Sequence, residues 1–188
     1  MSTYHFNLEK FHIYQTRAWH NDTDVVCLAV QVAGQMAKPH VVRIGDVNNG
    51  EHIVNLKVGP LKIADTDQVI ITYQIVNSGH RGQAELDAGL TKGAETLASI
   101  VPQPLGDLAS EIVDALAGLF TANCDGVVVA ERIVLPPGKI HTLTTRNGEP
   151  HVFELTRAYH GTPTNKTGCN PSPSLYTVTW KMFRESGT

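Results

Sequence analysis

The sequence predicts a mainly β protein, an antiparallel β-sandwich with a helical hairpin inserted into it. Three observations carry this expectation. Apolar residues alternate with other residues over several short stretches. Asn-Gly, Gly-Pro and Pro-Pro-Gly turn signals separate those stretches at close intervals. Only one region, about residues 83–121, changes to helical spacing. Around nine short strands result, in the rhythm of a two-sheet sandwich.

The elements follow in order. Tyr4 to Tyr14 alternates loosely around Phe6, Phe11 and Ile13 and reads as a first strand. Asn21-Asp22-Thr23-Asp24 interrupts it and leads into a strand ending at Val32. There Val26, Leu28, Val30 and Val32 share one face, and Val25, Cys27 and Ala29 share the other. Two apolar faces mean a central strand covered on both sides. Val41 to Asp46 and His52 to Val58 flank Asn48-Asn49-Gly50, a hairpin signal because Asn-Gly tolerates positive φ, and Gly59-Pro60 is expected to end the second arm. After Asp65-Thr66-Asp67, the run QVIITYQIV places Val69, Ile71, Tyr73 and Ile75 on one face, and Asn77-Ser78-Gly79-His80 stops it.

Leu86, Leu90, Leu97 and Ile100 then recur at helical spacing, although Gly89 and Gly93 each weaken a helix by about 1 kcal/mol relative to Ala. Pro102 and Pro104 break it. A second helix is expected from about Leu105 to Phe120, with Leu108, Ile112, Leu116 and Leu119 on one face and Asp107, Glu111 and Asp114 towards the other. Strands resume at Val127 to Leu135 and Ile140 to Thr145, around Pro136-Pro137-Gly138. Arg146-Asn147-Gly148-Glu149 closes a hairpin with Val152 to Ala158. A long polar loop, His160 to Pro173, precedes a last strand from Leu175 to Phe183, with Tyr176, Val178, Trp180 and Met182 on one face.

Two of these phrases resemble bacterial immunoglobulin-like domains. QVIITYQIVNSG is similar to their strand-plus-turn phrase, and IVLPPGKIHTLT is similar to the strand–Pro-Gly–strand phrase that often follows. The resemblance implies a sandwich and carries no catalytic residues.

Composition narrows the function classes. The 188 residues fit a single domain, 1–188, and charged residues make up 18%, below the average of about 25%. A net charge of -3 offers no basic footprint for nucleic acid and no attraction to an anionic membrane. No apolar run approaches the roughly 18 residues of a membrane span. The first residues show no positive stretch followed by an apolar one, so the default expectation is a soluble, cytoplasmic protein, with export by a leaderless route as the alternative.

If the strands meander up and down, alternate loops share one end of the sandwich. That end collects Asp22, Asp24, Asp46, Asn48, Asn77 and Asp125, with His80 beside them. Loop carboxylates and amides are what Ca²⁺ takes as ligands, so these six residues form a candidate calcium or polar-ligand site. The competing reading is that Asp and Asn at strand ends cap local turns. The nine histidines show neither HExxH nor a close pair; His141, His151 and His160 lie near one hairpin and form only a weak zinc candidate. Cys27 reads as a buried, unreactive thiol. Cys124 and Cys169 both fall in loops, so a disulfide between them and two free thiols stay as alternatives. Asn21-Asp22-Thr23 and Asn165-Lys166-Thr167 match the glycosylation sequon, which matters only in a secretory pathway.

No GxSxG elbow, phosphate-cradling loop or acid/base carboxylate pair is present. The expected function is therefore a non-enzymatic binding or assembly module that meets a protein or carbohydrate partner through the polar, acidic loop end, with calcium as a candidate cofactor. Two alternatives accompany it. One is a metal-dependent hydrolase using the Asp/His loops; the other is a homo-oligomeric structural subunit docking through the apolar face of the helical insert.

Overall fold

The computed structural model describes residues 1–19, 21–78, 81–100, 112–120 and 124–185. Two antiparallel sheets face each other. The first has the order β10-β11-β1-β5, from Phe153–His160, Leu175–Arg184, Ser2–Gln15 and Gly50–Ile63. The second is built on β2 (Asp22–Val32), with β6 (Val69–Asn77) and then β7 (Gly126–Leu135) on one side. On the other side of β2 lie β3 (Gln35–Met36) and β4 (His40–Val47).

Alternation decides the layers. Val26, Leu28 and Val30 of β2 and Val69, Ile71, Tyr73 and Ile75 of β6 join Tyr176, Val178, Trp180 and Met182 of β11 in the core between the sheets. Val25, Cys27 and Ala29 point the opposite way, where α1 (Gln83–Ser99) covers them with Leu86, Leu90, Ala94 and Leu97. The strand at Asp22–Val32 is thus buried on both faces, and the helix makes a third layer. Leu116 and Leu119 extend that cover from a short helix, α2 (Val113–Leu116), and the 3₁₀ turn after it (Ala117–Leu119). The first half of the expected second helix lies outside the described residues. The apolar face of α1 is thereby occupied by this chain's own sheet rather than left open to a neighbour.

Gly93 explains why α1 tolerates poor helix formers. A Cβ there would lie 2.5 Å from Gln74 Oε1 and 2.9 Å from Leu116 Cδ2, and Gln74 is fully buried and pinned by donating from Nε2 to the Leu90 carbonyl at 2.5 Å. Gly93→Ala gains about 1 kcal/mol of helix propensity and meets overpacking of about 1–3 kcal/mol. The expected net result is a loss of up to about 2 kcal/mol in urea unfolding, whereas propensity alone predicts a gain.

The loose alternation of the first strand comes from a register shift between Leu8 and Lys10, seen against both neighbouring strands. It moves the inward set from Tyr4, Phe6 and Leu8 to Phe11 and Ile13, all fully buried. Four expectations need correction. Asn48-Asn49-Gly50 does not close a hairpin: β4 pairs with β2 and β5 pairs with β1, so this connection crosses from one sheet to the other, with Gly50 at φ 134°. Gly59-Pro60 does not end its strand: β5 continues to Ile63, with a shift in its pairing to β1 at this point. Proline is tolerated there because β5 is an edge strand and needs no outward donor. Ile140 to Thr145 is not a strand but a helical turn, α3 (Lys139–Leu143). Gly138 enters it at φ 76°, and Thr142 and Thr144 hydroxyls bond back to the Gly138 and Ile140 carbonyls at 3.2 and 2.8 Å. β-branched residues there satisfy a helical turn locally, and their strand preference is overridden. Finally, Asn147 (φ 53°) and Gly148 (φ 85°) form the expected turn, but it joins β8 (Thr145–Arg146) to β9 (Glu149–Pro150), and β10 pairs with β11 instead.

The two open sides of the sandwich differ. Between β7 and β10, Thr162 N donates to the Val127 carbonyl at 3.0 Å, and Glu131 accepts from Arg157 at 2.7 Å and from the Tyr159 hydroxyl at 2.8 Å. Tyr73 and Tyr159 share a further hydroxyl contact. On the other side, the β4 edge carries a register shift beside Gly45 (φ 93°) and an exposed Arg43. Bulges and charges of this kind blunt an edge against pairing with another chain.

Candidate functional site

The end of the sandwich anticipated from the loops does form. β2 and β6 set Asp24 opposite Asn77, β6 and β7 set Asn77 opposite Gly126, and β2 and β4 set Asp22 opposite Val47. Four of the six candidate residues, Asp22, Asp24, Asn77 and Asp125, are buried, the first two with no exposed surface. Asp46 and Asn48 stay outside: Asp46 accepts from the Thr23 hydroxyl at 2.7 Å, and the Asn48 carbonyl lies 2.8 Å from His52 Nε2. His80 lies outside the described residues.

The buried carboxylates are engaged by groups that the sequence did not single out. Asp22 Oδ2 accepts from the Arg17 backbone N–H at 2.7 Å and from the Tyr176 hydroxyl at 2.8 Å. Its Oδ1 accepts from Ala18 N–H at 2.8 Å and from Asn77 Nδ2 at 3.0 Å. Arg17 is itself buried. It donates from Nε to the Cys124 carbonyl at 2.8 Å and from Nη1 to the Thr162 hydroxyl at 2.9 Å, and also to the Thr162 carbonyl. Gly126 leaves room for this guanidinium, since a Cβ there would sit 2.5 Å from Arg17 Cζ. An arginine and a tyrosine far apart in the chain carry no pattern that marks them as partners; only the β1 and β11 pairing brings them to the same end.

A disulfide joins Cys124 to Cys169, with Cα atoms 5.4 Å apart. Around it, Ala18 forms a β-bridge with Cys169, and Asn170 N–H donates to the Arg17 carbonyl at 2.8 Å. Gln15 Nε2 donates to the Ser172 and Pro173 carbonyls, each at 3.2 Å. The long loop after β10 is therefore clamped against the end of β1.

Protonation follows from the same geometry. Burial and the adjacent Asp22 push the Asp24 carboxyl well above its ordinary value, while burial also raises Asp22 against its backbone hydrogen bonds. Tyr176, raised by burial and by both acids, has one hydrogen to give and lies 2.8 Å from Asp22 and 3.0 Å from Asp24. With four donors on Asp22 and none on Asp24 Oδ1, Asp24 is the one that holds a proton. A carboxyl with a raised folded pKa stabilises fully below its unfolded value of about 4, and that contribution is lost as pH rises through the folded pKa. Asp24→Asn, which mimics the neutral acid, is expected to leave stability at pH 5 within about 1 kcal/mol of the parent. It is also expected to flatten the parent's decline towards pH 8 in urea unfolding.

Among the described residues, no group of three or more His, Cys, Asp or Glu side chains is arranged to hold a metal ion. An ion on Asp22 would have to displace the four donors already there. His141 Nδ1 lies 3.2 Å from Arg184 Nη1. Cys27 is sealed under α1, where burial pushes its thiol up to about 12, so it has no nucleophilic form at neutral pH.

What faces outward beside the clamp is a groove of about 310 Å³ on the outer face of the four-stranded sheet. Cross-strand pairing places His12 between Glu51 and Thr177, and Lys10 beside Thr179, which in turn faces Thr156. Lys10 pairs with Glu51 at 2.7 Å, the Thr156 and Thr179 hydroxyls meet at 2.8 Å, and Tyr14 packs on His12 with ring centroids 4.5 Å apart. Phe11, next to these residues in sequence, is in the core. A cleft of about 460 Å³ also opens between the Lys38–Val41 segment, Leu56 and α1 at Asp87 and Thr91. No side-chain hydrogen bond among the described residues crosses it.

Fold and site together define an antiparallel two-sheet β protein with a helical cover, one end locked by a disulfide and a buried Arg–Asp–Tyr cluster. No protein-family model matches the chain, and no curated protein matches it. No helix among the described residues is long and apolar enough to cross a membrane.

Proposed function

We propose that the protein is a non-enzymatic binding module that takes its ligand in the groove on the outer face of the four-stranded sheet, next to the clamped end. One observation carries this reading: the groove's polar groups are held in place by rigid strands and by one another, as a preformed site requires. The acidic end has a different role. Its carboxylates are consumed in holding Arg17, Asn77 and Tyr176, so it fixes the long loop at the groove's border and leaves no free carboxylate pair for catalysis. Calcium is not part of this reading. The disulfide supports residence in an oxidising compartment over the cytoplasm.

The reading is tested by recording ¹⁵N–¹H spectra of the protein against a mixed library of saccharides, short peptides and nucleotides. A binder is expected to shift amides of β1, β10 and β11, and Thr179→Val is expected to weaken it about tenfold, the loss of about 1.4 kcal/mol from one hydrogen-bonding hydroxyl. Shifts confined to α1 or to the 460 Å³ cleft, or none with any class, would overturn it.

A further inference from the structure

We infer that the groove's ligand is a neutral, polyhydroxylated one, a sugar unit of a glycan, lying across the threonine floor with Tyr14 as its stacking wall. This rests on the binding reading above and names the ligand's chemistry. Three independent features of the groove agree on it.

The first is charge. Lys10 is paired with Glu51 at 2.7 Å, and Lys181 is paired with Glu9 at 2.7 Å and with Glu154 at 3.2 Å. Two lysines against three carboxylates leave both cations engaged and one negative charge in excess, so the rim offers fixed hydrogen-bonding groups and no unpaired lysine. An anionic ligand would have to displace a carboxylate from its lysine, and a cationic one would gain little at a solvated rim. A neutral ligand can bond to the pairs as they stand.

The second is the floor. Thr156, Thr177 and Thr179 line the groove, and every threonine hydroxyl offers one donor and two acceptor positions. The Thr156–Thr179 contact uses only part of that capacity. Sugar hydroxyls have the same dual character, so each can give a hydrogen to one threonine and receive one from another.

The third is the wall. Tyr14 is 54% exposed yet backed by His12, so its ring is held at the end of the groove rather than folded into the core. An aromatic face with a fixed position suits the C–H face of a pyranose and leaves the hydroxyl within reach of solvent or ligand. The clamped loop immediately beyond, bonded through Gln15, keeps this end of β1 from moving.

The experiment uses the full disulfide-bonded chain, titrated by ¹⁵N–¹H spectroscopy with maltose, cellobiose, mannobiose and diacetylchitobiose. A heparin tetrasaccharide and a polar hexapeptide serve as the comparison. The expected result is that at least one neutral disaccharide shifts amides at residues 10–14 and 177–179, and that Tyr14→Ala weakens its binding at least tenfold without changing the melting temperature. Tyr14 is exposed enough that its removal leaves the fold intact, so this variant decides even where Thr179→Val folds poorly. If only the peptide or the charged glycan binds in the groove, the sugar inference falls while the binding-module reading stands. A disaccharide that binds Tyr14→Ala as well as the parent also overturns the inference. If no probe of any class shifts the groove, both fall.

Discussion

Replacing Cys124 and Cys169 together by serine is expected to lower the free energy of unfolding by about 4 kcal/mol, the chain-entropy value for a loop of this length. The bridge spans 45 residues of sequence, and without it the unfolded chain regains the freedom of that loop. For a protein of this size the melting temperature should fall by about 10 °C. The native contacts around the bridge make the effect local as well. Trp19 N–H meets the Gly168 carbonyl at 3.4 Å, and Asn170 N–H meets Arg17, so hydrogen exchange in the loop after β10 should rise first. Calorimetry of the variant beside the parent, with and without dithiothreitol, checks the result. Equal melting in all samples would mean that the bridge does not form in solution. Thiol titration of the denatured, unreduced parent gives the matching count: Cys27 alone should react, being the free cysteine of the three.

Asp22→Ala is expected to be at least as damaging, costing about 4–5 kcal/mol. It strips the acceptor from four donors at once, the backbone N–H groups of Arg17 and Ala18, Asn77 Nδ2 and the Tyr176 hydroxyl. Each buried donor left without a partner costs about 1–3 kcal/mol, and these costs overlap where water can enter. Arg17, already buried, also loses its neighbouring negative charge. Asp22→Asn should recover part of the loss, because its carbonyl oxygen serves one pair of donors while its NH₂ opposes the other. Urea unfolding of the two variants checks the order. A cost below about 1 kcal/mol for Asp22→Ala would show that the cluster adds little to stability.

Much of the architecture was legible in the residues. The two-sided apolar pattern of Val25 to Val32 led directly to a strand covered by the other sheet on one face and by α1 on the other. The Asn-Gly turn at 147–148 stands where the dipeptide marked it, because the backbone angles it permits are a local property, whereas Asn49-Gly50 joins strands of different sheets. The misread segments were those where a local signal had two solutions. Ile140 to Thr145 has the composition of a strand, yet a helix start at Gly138 and hydroxyl-to-carbonyl bonds within one turn satisfied it. At Gly59-Pro60 the turn signal was real, but an edge strand absorbs such a dipeptide as an irregularity.

For the polar end, the division is physical. Asp22, Asp24, Asn77 and Asp125 were brought together from the order of strands alone, since alternation and turn length determine which loops share an end. Whether those carboxylates face water or the interior was decided only by the tertiary structure. Arg17 from β1's extension, Tyr176 from β11 and the loop tied down by Cys169 close over them, and none of those partners is close in sequence. The groove is likewise a property of four strands side by side: Lys10, Glu51, Thr156 and Thr179 are ordinary surface residues until pairing register places them on one face. By itself the sequence determined the strands, the turns and the shared end, which depend on near neighbours. Burial of the acids depends on contacts across as many as 154 residues and assembly of the groove on a strand pairing of Lys10 with Thr179 that reaches further still, and only the folded chain supplies them.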